Sequence, residues 1–267
     1  MRIVRAILSI ALASAPAALF AAPAQETIVA EGGCPGCDLR LASYRDIEID
    51  GADFSGANLR EADLKGASLS AADFSDADLR GAEMEKGRAP GANFTDAKLR
   101  YADFEKSDLS GARFDDADMR EADFEEALLD GASFADADIR NARLRRASLA
   151  QADFTGALMR GVDLERAAAP GASFANAEMG RVDLDRADLS GADFSGADLT
   201  RARLTSANLS GATFAAAQME GVQLRRTNLS GADLSGARGL DQERLDQACG
   251  DADTKTPDGL TVKVCGE

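Results

Sequence analysis

From Phe54 to Leu234 every fifth residue belongs to one apolar series: of 37 positions, 35 are Leu, Phe, Met or Ile, and the exceptions are Ala89 and Ala169. Two residues earlier, from Ala52 to Ala232, alanine fills 31 of 37 positions, and no insertion breaks the count. A period of five cannot make an amphipathic helix, because at about 100° per residue the apolar positions advance by roughly 140° each time and wind around the axis. A long strand fails as well. The two apolar positions, two apart, share a face, but the next pair lies an odd number of residues on and faces the other way. Both conflicts vanish if the chain takes a short extended step and turns a corner at every fifth residue, each step pointing its alanine and its large residue at one central axis. With the large residue denoted i, alanine is i−2. Gly51, Gly56, Gly66, Gly91, Gly111, Gly131 and Gly191 all fall at i+2, often after Ser or Asp, which is corner chemistry.

Phe54, Phe74, Phe94, Phe114, Phe134, Phe154, Phe174, Phe194 and Phe214 recur at every fourth unit without a miss. Four steps therefore make one coil, and coils stacked like neighbouring strands, ~4.8 Å apart, set these rings in a ladder up one side. Forty steps from Leu39 to Leu234 make ten coils, a rod on the order of 50 Å long.

Units such as Ala52-Asp53-Phe54-Ser55-Gly56 and Ala57-Asn58-Leu59-Arg60-Glu61 resemble the pentapeptide-repeat family, whose unit is commonly written A(D/N)LXX. The resemblance covers residues 37–238. It implies an all-β fold, a right-handed quadrilateral β-helix, of which the handedness comes from the resemblance alone. It also brings one defined activity, since some members resemble double-stranded DNA in shape and charge and act on DNA gyrase.

The segments outside the repeat read differently. Met1-Arg2-Ile3-Val4-Arg5 followed by a small, apolar run through Phe20 reads as a secretory leader, with cleavage after Ala24. The run interrupted by Pro16 is at the lower limit of a membrane span, so no membrane insertion is expected. Residues 25–36 are expected to cap the first coil and 239–267 the last, the latter through a short helix over 241–249 with Leu240, Leu245 and Ala248 on one side. The four cysteines, Cys34, Cys37, Cys249 and Cys265, allow three pairings. Two of these would span the rod, whereas a disulfide needs Cα atoms within about 7 Å. Cys34 with Cys37 and Cys249 with Cys265 remain, and closing the C-terminal loop is worth roughly 3 kcal/mol on the chain-entropy picture.

Removal of residues 1–24 takes away Arg2 and Arg5 and changes the net charge from −16 to −18. Nucleic acid and anionic membrane surfaces repel such a chain. There is no histidine, hence neither the usual neutral-pH general base nor the commonest metal ligand. No catalytic, cofactor or metal residue is assigned. Asp251, Asp253 and Asp258 hint at a calcium loop, but Val262 stands where its glutamate is required. Asp fills 16 of the 37 positions at i−1, which reads as solvated charge that blocks edge pairing. One column breaks the acidity. Arg60, Arg80, Arg100, Arg120, Arg140 and Arg160 recur once per coil at i+1, several with a carboxylate two residues earlier. They read first as charge compensation and second as a docking ladder for an anionic polymer or protein, suited by the forked guanidinium. Ala89-Pro90-Gly91 and Ala169-Pro170-Gly171 fall on one side of the rod, where each proline is expected to remove a ladder hydrogen bond and the wall to draw in as a shallow notch.

The reading is therefore a periplasmic or secreted, non-enzymatic scaffold that binds an unidentified protein or envelope polymer, as a monomer or an end-to-end dimer. The alternative is a DNA-mimicking inhibitor or protector of a nucleic-acid enzyme such as gyrase, at a charge density of one per roughly 3 Å against one per ~1.7 Å of duplex. A third is a thiol redox protein using Cys34-Pro35-Gly36-Cys37, although Cys37 already takes the inward alanine position and no thioredoxin-like strand and helix surround it.

Overall fold

The computed structural model describes residues 22–266, so the expected leader lies outside the described residues except for its last three. Within the repeat, four of the five backbone N–H groups of a typical unit are fixed by backbone carbonyls. The i amide donates to the coil above, as Phe54 does to Asp73 O at 2.7 Å, and the i+2 amide does likewise, Gly56 to Ser75 O at 2.8 Å. The i−1 amide donates to the coil below, Asn58 to Cys37 O at 2.8 Å, and the i−2 amide closes the corner, Ala57 to Phe54 O at 3.0 Å. The chain consequently pairs in parallel with itself four units on, at single bridges repeated once per unit from Gly33↔Asp53 to Gln218↔Arg238. The result is a β-helical solenoid in which no repeat is long enough to count as a strand.

The fifth amide, at i+1, stays out of the ladder and is taken by the side chain at i−1 wherever that residue is Asp or Asn, while Ala150 and Thr205 donate theirs to Asp130 and Asp185 of the coil below. Ser55 N donates to Asp53 Oδ1 at 3.0 Å, Ser75 N to Asp73 Oδ1 at 2.9 Å, and Ser195 N to Asp193 Oδ1 at 2.9 Å. The Asp or Asn of each unit is thus a corner cap of the Asx type. This corrects the expectation for the two prolines. Pro90 and Pro170 stand at i+1, where no ladder bond exists to lose, and the ladder runs on through Ala89 N to Asp108 O at 2.8 Å and Ala169 N to Asp188 O at 2.7 Å. The residues at i−1 there are Arg88 and Ala168, neither of them a capping acceptor. In the unit of Ala89 the Met84 side chain packs against Gly87, its Cγ 2.7 Å from where a Cβ would sit, and both Ala89 and Ala169 are buried.

Corner residues at i+2 are left-handed whether or not they are glycine: φ is 53° at Ala71, 61° at Tyr101 and 62° at Arg186, beside 66° at Gly131. This conformation costs an L-residue roughly 1–2 kcal/mol.

The interior holds the expected pairs. The phenylalanines that recur once per coil stack with centroids 4.6–5.2 Å apart and planes within 10°. Phe104 and Phe124 form a second stack at 5.0 Å and meet the first edge-on at 78–88°. Two hydroxyls replace inward alanines and both are satisfied, Ser107 donating to Phe104 O at 2.6 Å and Thr227 to Leu204 O at 2.7 Å.

Each end is covered. Helix α1 (Gln25–Glu31) buries Ile28 against the first coil and ends at left-handed Gly32. Gly33 then passes so close to Asp53 that a Cβ would lie 2.2 Å from its carbonyl oxygen. At the other end α2 (Gln242–Leu245) is shorter than the expected helix over 241–249. Asp241 caps it, accepting from Arg244 N at 2.9 Å. It stops because Cys249 is recruited to the ladder, accepting from Leu229 N at 2.7 Å, and into a parallel pair of β1 (Cys249–Gly250) with β2 (Lys263–Val264). Asn228 bridges Cys249 and Asp233 bridges Lys255, one and two positions beyond the regular return, as the repeat is lost. Leu245 and Ala248 are buried, while Leu240 is half-buried.

Corner and core can be tested separately. Gly131→Ala adds a Cβ that meets nothing within 4 Å, so its effect is backbone strain alone, a loss of about 1 kcal/mol in denaturant unfolding, whereas Ala71→Gly is neutral to stabilising by less than about 1 kcal/mol. Phe134→Asp places a charge between rings 4.6 and 5.0 Å away, with no water or partner in reach, and abolishes the cooperative thermal transition; a wild-type-like transition would refute the filled core.

Candidate functional site

The i+1 arginines project from one corner of the solenoid, each one coil above the last, and the residues at i−1 decide what they do. Arg80 forks onto Asp78 with Nε and Nη2 at 2.7 and 2.5 Å, Arg120 onto Asp118 at 2.7 and 2.6 Å, and Arg140 onto Asp138 at 2.8 and 2.6 Å. Arg120 also reaches Asp138 of the next coil at 3.5 Å. The fork raises the Arg120 guanidinium further above its ordinary range, and the same contact holds the Asp118 carboxyl below its own. Arg40, one coil below the predicted column, makes the same fork with Asp38 at 2.7 and 2.6 Å. The signal for it, a position four units before Arg60, is present in the repeat.

The other three members have no carboxylate at i−1. Arg60 follows Asn58 and meets its side chain only through its own amide, at 3.5 Å. Arg100 follows Lys98, turns to Glu121 at 3.4 Å and the Tyr101 hydroxyl at 3.2 Å, and lies 5.2 Å from the Tyr101 ring centroid. Arg160 follows Leu158. The structure thus brings the column together, with forked rungs at Arg80, Arg120 and Arg140 and unforked ones at Arg60, Arg100 and Arg160. Beyond it Gly180, Thr200 and Glu220 continue the same position without arginine.

The cysteines pair as geometry requires, Cys34 with Cys37 at a Cα separation of 5.6 Å and Cys249 with Cys265 at 4.8 Å. Cys34 holds position i and Cys37 position i−2, joined by the corner bond of every unit, Cys37 N to Cys34 O at 3.4 Å. The bridge therefore replaces a core contact in the first corner. The acidic loop at 251–258 folds on Asp251, whose Oδ1 accepts from Gly231 N at 2.8 Å and from the amides of Asp253 and Thr254 at 3.1 Å.

Family models agree with this architecture. The model for pentapeptide repeats matches in eight copies over residues 48–85, 171–205 and 207–238, and that for a pentapeptide repeat region over 97–174. Among solved structures the chain is similar to HetL, a pentapeptide repeat protein involved in heterocyst differentiation regulation in the cyanobacterium Nostoc sp., at 31% identity over 73% of this chain and 81% of that one, TM-score 0.37. It is similar to a pentapeptide repeat protein of the Arabidopsis thaliana thylakoid lumen at 35% identity over 39% and 68%, TM-score 0.28. A trypsin-treated form of QnrB1, a plasmid-mediated fluoroquinolone resistance protein, aligns at 24% identity over 66% and 90%, TM-score 0.35. No curated protein matches the chain.

Where the last coil meets the C-terminal cap, hydrogen bonds from Ser235 and Lys255 hold the Asp233 carboxyl down to about 2 from its usual 3.8. A folded-state pKa below the unfolded value means that this contribution is complete above 3.8 and is lost as pH falls through about 2. The cap should therefore loosen in that window, seen as protease cleavage within 239–267 ahead of the repeat, and Lys255→Ala should raise the Asp233 midpoint measured by NMR.

Proposed function

The chain belongs to the pentapeptide-repeat family, and we propose on that premise that it is an exported, non-enzymatic scaffold, periplasmic or secreted, that docks an anionic protein or envelope polymer along its arginine ladder. The observation that carries this reading is the split in the ladder. Forked guanidiniums at Arg80, Arg120 and Arg140 neutralise their own coil, whereas Arg60 and Arg160 have no ion pair among the described residues and Arg100 only the 3.4 Å contact with Glu121. Unforked rungs two and three coils apart on one corner suit bidentate contact with carboxylates or phosphates of one partner.

Export is supported by the leader sequence and by two local disulfides, which persist in oxidising compartments. The domain plan is a leader over 1–24, a cap over 25–36, the solenoid over 37–238 and a C-terminal cap over 239–267. Four bridges within each return of the chain support a four-sided cross-section, in about ten right-handed coils. Recognition rather than chemistry is supported by the core, filled from wall to wall by Ala, Leu, Phe and Met, which leaves open depressions on the surface instead of an enclosed cleft.

The test expresses the full chain in a Gram-negative host and sequences the N-terminus of the exported form. Gln25 is the expected first residue, and retention of Met1 in the cytoplasm would overturn export. Photocrosslinking from the ladder in the envelope should then yield a discrete adduct that Arg60→Glu with Arg160→Glu removes. An adduct unchanged in that variant would overturn the ladder as the docking site.

A further inference from the structure

Above Arg160 the corner column that carries the ladder runs on without arginine and forms a bay. From 118 to 140 each coil places an acid at i−1 and an arginine at i+1, and the two fork together. Two coils later the acid is present as Glu178 but Gly180 stands where the arginine would be, and above it Asp198 is followed by Thr200. On the other flank the left-handed i+2 positions hold Arg181 and Arg201, at φ 61° and 59°. Arg160 closes the lower end and Glu220 the upper. Together with Gly180 and Thr200 they line an open surface depression of about 320 Å³.

None of these six charged side chains makes an ion pair among the described residues, although similar pairs tie neighbouring coils together within a column, as at Arg145 with Glu165, 2.9 Å, and Arg203 with Asp183, 2.8 Å. The Thr200 amide donates to Asp198 Oδ1 at 2.9 Å and leaves Oδ2, which lies 3.9 Å from where a Cβ on Gly180 would be. The bay thus has acids on one flank, guanidiniums on the other, and an empty position between them that lower coils fill with their own guanidinium.

We infer that this bay binds a guanidinium-bearing zwitterion. Its guanidinium takes the place of the missing rung against Glu178 and Asp198 Oδ2, and its carboxylate is received by Arg181 and Arg201. A lining of three acids and three arginines favours a ligand carrying both charges over a simple anion or cation, and forked pairing favours guanidinium over ammonium. Free arginine and a peptide ending in arginine share this chemistry. The inference does not depend on export, and Arg160 is the one residue it shares with the ladder.

The test is isothermal titration of the full chain with L-arginine, with a short peptide carrying a C-terminal arginine, and with agmatine and citrulline, which lack the carboxylate and the guanidinium charge respectively. Saturable binding of arginine or the peptide is expected, at least about tenfold tighter than either control, roughly the loss of one 1.4 kcal/mol contact. Whichever of the two binds more tightly identifies the source. Gly180 is not left-handed and has room for a side chain, so Gly180→Arg should close the bay from within and abolish binding with an unchanged circular dichroism spectrum. Glu178→Gln, which keeps shape and removes charge, should weaken binding by about tenfold. Agmatine binding as tightly as arginine, binding undiminished in both variants, or no saturation by arginine or peptide up to the order of 10 mM would each overturn the assignment.

Discussion

One amide per unit escapes the ladder of this solenoid, and the form of the repeat follows from where it goes. Four backbone donors in five are tied to the coils above and below or to the corner itself. The remaining N–H, at i+1, points outward at a bend where no carbonyl waits, and a short side chain two residues back can reach it. Asp and Asn suit that task, which gives the polar residue of the unit a structural role before any role in charge. The following residue must then turn left-handed to start the next side. Stability is accordingly collective, since each coil repeats one ladder, one set of caps and one set of strained corners, and interior burial offsets the strain over the whole stack.

The same constraint explains the ends. A coil with no neighbour leaves ladder groups unpaired, so both termini continue the pairing rather than merely cover it. At the start, Gly32 O accepts from Asp53 N at 2.9 Å and Cys34 N donates to Asp53 O at 2.7 Å, so the segment after α1 acts as the missing coil. At the finish, α2 takes one side while Cys249 and Lys255 return to the ladder on the next two, and the disulfide to Cys265 fastens that irregular coil to the chain beyond it.

What could be read from the residues divides along a physical line. Burial acts on side chains, so the period of five, the return at every fourth unit and the phenylalanine stack were all legible in the positions of Ala52, Phe54 and their equivalents. Backbone hydrogen bonding leaves fainter marks. Asp53 looks like surface charge until its bond to the Ser55 amide is seen, and Pro90 and Pro170 look disruptive until the i+1 amide proves to lie outside the ladder. Glycine at i+2 announces a left-handed corner, but Ala71 and Tyr101 adopt the same conformation without any sign in their chemistry. The C-terminal helix was expected too long because the pattern beyond Arg238 is local, whereas its end is set by long-range pairing of Cys249. Among the arginines, the forks were legible wherever an acid stood two residues before, and the isolation of Arg160 was legible only as the absence of one at Leu158.

Stacked arginines at the spacing of adjacent strands repel one another, so a column of them persists only with compensation. The forks at Asp38, Asp78, Asp118 and Asp138 supply it within the coil. Each is part-exposed and worth no more than about 1 kcal/mol, which is enough to set side-chain direction and too little to define the fold. The informative positions are therefore those where the pattern lapses. At Asn58 and Leu158 a guanidinium is left without its acid, and at Glu178 an acid is left without its guanidinium. A solenoid whose backbone repeats from coil to coil can carry such lapses without structural penalty, and it is by the order of filled and unfilled rungs, not by the shape of the rod, that one face of it becomes distinguishable to a partner.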